Sequence, residues 1–256
     1  LKRFWKITDS TNTENIINWL DKMPDPDIIC FQEFYNNDVS LIENTIDEIS
    51  ERKHLPYFYT NPLFWDTYNG FFGVSTFSKF PIVESGPLVF GDSIYLNRGV
   101  FVDLKIKKDT IRVLNIHLHS MTIRIDTTDT LNAFIKPFNN ALIILQKLKE
   151  GFVTRKMEIE KIIQFINSSP YKVIVCGDFN DTPYSYTYQQ LNKVMENSFE
   201  KAGTGFGFTY NKFPWAIRID HQFYDKKLRA VQFQVFSDNK YSDHYPTQSG
   251  YILEKK

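Results

Sequence analysis

An excess of charge of either sign is missing from this chain, which has 30 Lys and Arg against 30 Asp and Glu in 256 residues. No global positive field exists to collect a polyanion by counterion release, which disfavours tight, sequence-independent nucleic-acid binding. A nuclease needs only a local basic groove or bound metal ions, so that class stays open. Cysteine is scarce too. Cys30 and Cys176 each sit in a short apolar run, where a thiol serves as a small buried hydrophobe; a disulfide is the lesser reading, and two cysteines fix no compartment. Runs long enough to cross a membrane are absent, and no signal-peptide pattern opens the chain. The chain begins at Leu1 rather than Met, so an upstream targeting or membrane segment could have been removed, and the sequence does not fix a location. Repeats, low-complexity tracts and linkers are absent as well. Hydrophobic residues at 42% and charged residues at 23% then describe one compact domain spanning 1–256.

Short apolar runs rich in Val, Ile and Phe recur along the chain: DIICF at 27–31, GFFGVSTF at 70–77, GVFVDLKI at 99–106, TIRVLNIHL at 110–118, KVIVC at 172–176, AIRIDHQFY at 216–224 and AVQFQVF at 230–236. They read as strands. Helical stripes lie between them. Thr11 and Glu14 form a capping box ahead of Ile16, Ile17, Leu20 and Met23. Asp38 is an N-cap for Leu41, Ile42, Thr45, Ile46 and Ile49, and Ile159, Ile162, Ile163 and Ile166 make a third stripe that Arg155 opens. Residues 131–150 have helical period, but Pro137 should break or kink that helix unless it falls in the first turn of a new one. Several strands follow one another through short turns such as KKDT, which favours largely antiparallel sheets with helices outside over a doubly wound parallel sheet.

Polar clusters sit at the ends of these strands. ICFQEFY delivers Gln32 and Glu33. VLNIHLHS delivers Asn115, His117 and His119 to one face, because strand side chains alternate. VCGDFNDTP crowds Asp178, Asn180 and Asp181 behind a buried strand, RIDH carries Asp220 and His221, and YSDHYP carries Asp243 and His244. Singly, each has a bland explanation: Asn, Asp, Gly and Pro form turns, and a lone histidine is usually structural. Asp243 and His244 can both reach one site only from a loop. Together the clusters offer hard oxygens suited to Mg²⁺ or Mn²⁺, with imidazoles left for proton transfer and phosphate contact. That is equipment for hydrolysing a phosphate ester.

In spelling and order these segments resemble the endonuclease/exonuclease/phosphatase superfamily, which includes pancreatic deoxyribonuclease, abasic-site endonucleases, inositol polyphosphate 5-phosphatases and neutral sphingomyelinases. FQEF matches its QE motif, FGVSTFSKFPIV its SR-P-I strand pair, NIHL its N-x-H-L, RID its late I-D strand, and GDFND with SDHYP its GDFN and SDH-x-P. The resemblance implies a four-layer α/β/β/α sandwich of the deoxyribonuclease I-like kind, two mainly antiparallel sheets flanked by helices. It implies a Mg²⁺- or Mn²⁺-dependent phosphoesterase, with Glu33, Asp178 and Asp243 toward the metal. Asp178 and Asn180 would contact the attacking water and the phosphate, His244 would be the catalytic histidine held in its tautomer by Asp220, and His117 and Arg98 would bind phosphate. The general base is left open between Asp178 and His244. The substrate would be a phosphate ester such as a nucleic acid, a phospholipid head group or a small phosphodiester, acted on by a monomer with no stable protein partner. A non-catalytic domain that kept the fold is the alternative.

The resemblance departs at the N-terminus, where the family opens with an apolar strand ending in Asn and LKRFWKITDSTNTE does not; Asn12 and Asn15 read as helix residues, so that strand can be missing. His119 and His221 read as peripheral. The insertion between His119 and Arg155 could shape the substrate mouth, and Arg155 could pair with acids of the site. The aromatic run 55–72 reads as core, unless it lies exposed beside the site to stack bases or meet lipid.

Overall fold

The computed structural model describes residues 10–37, 44–67, 69–90, 98–120, 136–212 and 216–253. In chain order the elements are α1 (Ser10–Asp21), β1 (Ile28–Asn36), α2 (Thr45–Arg52), β2 (Tyr57–Trp65), β3 (Phe71–Ser78), β4 (Ile82–Val89), β5 (Arg98–Ile106) and β6 (Asp109–His117), then α3 (Lys136–Asn167), β7 (Lys172–Asp178), α4 (Tyr186–Val194), β8 (Glu196–Asn197), α5 (Ser198–Ala202), β9 (Asp220–Tyr224), β10 (Leu228–Val235) and β11 (Thr247–Leu253). Six strands form one sheet in the order β4-β5-β6-β7-β9-β8; β1-β3-β2 and β10-β11 make up the other strands. All pairings are antiparallel except β6 with β7.

Strand alternation divides the apolar residues into three cores. On β6, Ile111 and Val113 face inward and pack with Leu104, Ile28, Cys30, Ile174 and Leu228 between the sheets. The opposite parity, Leu114 and Ile116, packs with Val173 and Val175 against Ile159 and Ile162 of α3 and Leu191 of α4. A third cluster joins Phe34, Phe71 and Phe77 of the β1-β3-β2 sheet to Ile49 of α2 and Leu20 of α1. Helix, sheet, sheet, helix is the result, the four-layer sandwich expected.

Several elements differ from the sequence expectation for identifiable reasons. Pro137 is the second residue of α3, where its missing N–H costs no hydrogen bond, so the helix runs unbroken for 32 residues and Arg155 lies in its interior rather than at a start. α1 begins at Ser10, one residue ahead of the expected cap Thr11, and Asn12 and Asn15 lie within it. α2 is capped by Asn44, whose side chain accepts from the Asp47 N–H; Asp38, Leu41 and Ile42 lie outside the described residues, as does residue 1–9 sequence where the family's opening strand would be sought. The late strand begins only at Asp220. The aromatic run holds β2, on which Tyr57, Phe58, Phe64 and Trp65 are exposed, and none of these four lines the cleft described below.

One buried ion pair ties α3 to its sheet. Asp103 and Arg112, partners across β5 and β6, make two hydrogen bonds of 2.7 Å, and the guanidinium lies 4.8 and 4.9 Å from the ring centres of Phe101 and Phe165. Removing one partner strands a buried charge. Asp103→Ala should therefore cost roughly 3–5 kcal/mol of unfolding free energy, whereas Glu84→Ala, which removes the exposed third member 3.8 Å from Arg112, should cost under about 1 kcal/mol. Urea denaturation of both variants checks this, and equal losses would contradict it.

Candidate active site

The C-terminal ends of β6 and β7 and the start of β9 lie side by side, and their register places three polar side chains in a row. His117 pairs with Asp178 in the parallel β6–β7 ladder, and Asp178 pairs with Asp220 in the antiparallel β7–β9 ladder. Gly177 permits this. Its φ is +144°, and a Cβ there would lie 1.9 Å from the Ile116 carbonyl oxygen, so no other residue lets β7 approach β6 so closely. The GDFND segment thus ends a buried strand in acids because the strand delivers them to a cleft.

Within the row, His117 Nε2 lies 3.6 Å from Asp178 Oδ2. His244 enters from the loop before β11, held by its Tyr210 bridge, and its Nδ1 lies 2.9 and 3.1 Å from the two Asp220 oxygens. That contact leaves Nε2 facing Asp178 Oδ2 at 3.9 Å. Among the described residues, Asp178, Asp220 and His244 offer ligand atoms all within 4.8 Å of one another. Asn180 has φ +48°; its backbone N–H donates to Asp178 Oδ1 at 2.7 Å, and its Nδ2 donates to the Leu118 carbonyl at 2.9 Å and to Asp178 Oδ2 at 3.1 Å. Its Oδ1 is the amide atom left over.

Glu33 and Asp243 line the same cleft outside that close group. A β-bulge between Phe31 and Phe34 sets Gln32 and Glu33 against a single residue of β3, and Glu33 takes φ +53°. A non-glycine residue in that region is costly and is often kept at functional sites. Arg98 begins β5, but its side chain lies outside what is described.

Other candidates fall elsewhere. Asn115 shares its face with His117 but is fully buried, donating to Phe31 O, Ser75 O and Thr76 Oγ1 and accepting from Gln32, so it ties the two sheets together. His119 lies beyond the end of β6. His221 is buried among Phe179, Tyr188 and Phe223, bonds the Asp181 carbonyl at 2.9 Å, and burial pushes its pKa down to about 4. Asp181 does line the cleft, but it pairs with Arg155, whose Nε donates to it at 3.2 Å. The same guanidinium donates to the His119 carbonyl at 3.0 Å, and Glu158, one turn on, accepts from the His119 N–H at 3.0 Å. Burial lifts the Glu158 carboxyl to about 7 against the pull of that N–H and Arg155. Sequence reasoning misses Tyr210, whose ring meets His244 edge-on at 5.1 Å; no period or motif precedes it, because an isolated bridge makes the contact.

Electrostatics sets the two central groups apart. Burial raises the Asp178 carboxyl to about 6, with Asp220 adding to the effect and His244 and His117 opposing it. For His244, burial opposes the charged ring, yet Asp220, Asp178 and Asp243 outweigh it and lift the imidazole to about 10. At neutral pH, without metal, His244 is therefore an imidazolium beside a carboxylate.

A sandwich fold whose sheet ends gather carboxylates, an amide and two imidazoles in one cleft is the arrangement that the resemblance in sequence implies. The sequence model of the Endonuclease/Exonuclease/phosphatase family matches residues 8–244. The chain belongs to that family. Solved structures agree in fold: the endonuclease/exonuclease/phosphatase from Bacteroides vulgatus (TM-score 0.68, 16% identity, 95% of this chain and 90% of that one), a humanized D. rerio TDP2 carrying 14 mutations (0.67, 14%, 96% and 94%) and the human Nocturnin catalytic domain with bound sulfate (0.59, 16%, 94% and 87%). A search among curated proteins finds no match.

The charge pattern has a measurable consequence in the metal-free protein. His244 is held near 10 when folded against about 6.5 when unfolded, so its contribution is complete below about pH 6.5 and is lost as pH rises toward 10. Asp178, raised to about 6 from about 3.9, favours the folded state only while protonated, so it too loses stability as pH rises, between about 4 and 6. Urea midpoints of the chelated protein should fall between pH 6 and 10, and His244→Asn should flatten that limb. An unchanged slope in the variant would contradict the assignment.

Proposed function

We propose that the chain is a divalent-metal-dependent phosphoesterase that hydrolyses a phosphodiester by in-line attack of water, with Mg²⁺ or Mn²⁺ as cofactor. The observation that carries this is the convergence of Asp178, Asp220 and His244 within 4.8 Å, flanked by His117 and Asn180. The donor set suits such an ion, since Glu33, Asp178, Asn180, Asp220 and Asp243 all bring carboxylate or amide oxygens to the cleft. Glu33, Asp178 and Asp243 would hold it, with Asp220 the adjoining carboxylate. When bound, the ion supplies Lewis-acid polarisation of the phosphoryl oxygen and the leaving alkoxide.

The protein's own groups divide the remaining work. Asp178, whose carboxylate faces both His117 and His244, would accept the proton from the attacking water. Its two oxygens are oriented by the Asn180 N–H and Nδ2, and the remaining Asn180 Oδ1 would accept from that water. His244, raised to about 10, serves better as a cation than as a base. Asp220 holds Nδ1, so Nε2–H points at the space beside Asp178, where a phosphoryl oxygen would gather charge. His117 adds a second imidazole to that oxygen. This reading favours Asp178 over His244 as general base, acting in a monomer without a stable protein partner.

A panel of phosphomonoesters, phosphodiesters, DNA, RNA and phospholipids, each with and without Mn²⁺, tests the proposal. Turnover should require metal, and Asp178→Asn or His244→Ala should lower kcat about 10²- to 10⁴-fold with the circular-dichroism spectrum unchanged. Full metal-dependent activity in His244→Ala overturns the roles. Silence of the wild type on every substrate would instead establish a non-catalytic binding domain.

A further inference from the structure

Beside the cleft, α3 carries side chains that the chemistry above leaves unused. Its inner stripe, Ile159 and Ile162, is buried against the sheet, yet Leu145, Phe152, Val153 and Met157 are 60, 52, 51 and 51% exposed. Leu148 and Phe152 line the cleft itself. On the turn after β7, Tyr184 is 94% exposed and lines the same cleft. Tyr186, also exposed, lies with its ring 5.9 Å from the Lys156 ammonium. Tyr186 also donates its hydroxyl to Glu160 at 3.4 Å, so α3 and the start of α4 meet through a Lys156–Glu160–Tyr186 cluster beside these apolar side chains. Scattered single hydrophobes need no explanation, but a connected group at the mouth of a site does.

Charge accompanies this surface. Lys149, Lys156 and Lys161 are exposed on the same helix against exposed Glu150 and Glu160, the latter 3.9 Å from Lys156, which leaves lysine in excess by one charge. Exposed apolar residues interleaved with lysines on a helix match an anionic interface. Among the described residues no helix is long and apolar enough to cross a membrane, so α3 would lie along the surface.

We propose that the exposed face of α3, together with Tyr184 and Tyr186, docks the protein on an anionic phospholipid surface and sets the cleft at head-group level. Of the patch's six apolar or aromatic side chains, Phe152, Tyr184 and Tyr186 could stack a base, whereas Leu145, Val153 and Met157 have no π face and suit the acyl boundary of a bilayer. Because Phe152 belongs both to the patch and to the cleft wall, a head-group phosphodiester at that surface would sit at an opening of the same cleft. Cleavage of that head group rests on the phosphoesterase reading; docking does not.

Co-sedimentation with unilamellar vesicles tests docking without turnover, using chelated protein. The wild type should bind phosphatidylcholine vesicles containing phosphatidylglycerol and not vesicles of phosphatidylcholine alone, and added salt should weaken binding. The double variant Phe152→Ser, Met157→Ser should lose about tenfold or more in partitioning, since each buried methylene contributes to interfacial affinity. His244→Ala should bind vesicles as the wild type does, so that failure of hydrolysis and failure of docking are read separately. Docking is overturned if the wild type ignores the mixed vesicles or if the double variant binds them equally. It is also overturned if the patch proves to hold a second copy, seen as a dimer in size-exclusion chromatography that the double variant dissolves, or a single-stranded oligonucleotide in place of lipid.

Discussion

The parallel pairing of β6 with β7 is the constraint on which the rest of the site depends. Neighbouring strands lie about 4.8 Å apart, so residues in register on adjacent strands are brought within reach of one another without any loop having to be precise. His117, Asp178 and Asp220 occupy successive strands at one level. The contact needs Gly177, where the backbone of β7 comes against the Ile116 carbonyl. Asn180 follows directly on β7, whereas Asp243 and His244 come from the loop before β11, where Asp220 and Tyr210 hold His244.

Buried polar ties, rather than apolar packing, fix the segments that leave these strands. Asn115 spends its whole amide on β1, β3 and Gln32, locking the spacing of the two sheets directly beneath the site. Arg155 and Glu158 hold both the carbonyl and the N–H of His119, and Arg155 also holds Asp181, so the loops after β6 and β7 are clamped by one helix. Such groups are expensive to bury and offer little net stability over apolar replacements. What they supply is a single geometry for His117, Asp178 and Asn180.

Much of this was legible in the residue order, and the parts that were not share a cause. Period-two alternation identifies the face on which His117 and Asp178 lie, and the GDFND and SDH segments point to a common cleft. Alternation does not report depth, so Asn115, of the same parity as His117, belongs to the inter-sheet core two residues deeper. Helical period does not reveal where a helix starts, and Pro137 is compatible with either a break or a beginning; the fold chooses the beginning, which moves Arg155 into the middle of α3. β2 hides in an aromatic run that has no alternation, and β11, TQSGYIL, has too few apolar residues to announce itself. The bulge at Gln32 and Glu33 and the bridge at Tyr210 arise from pairing between distant segments, which no local pattern contains.

The left-handed backbone of Glu33 carries a cost that its side chain must justify. Holding a non-glycine residue there takes on the order of 1–3 kcal/mol, and glycine would relieve it while deleting the carboxylate. At this bulge, therefore, backbone ease and a carboxylate cannot be had together: the residue that would relax the turn is the one without a side chain.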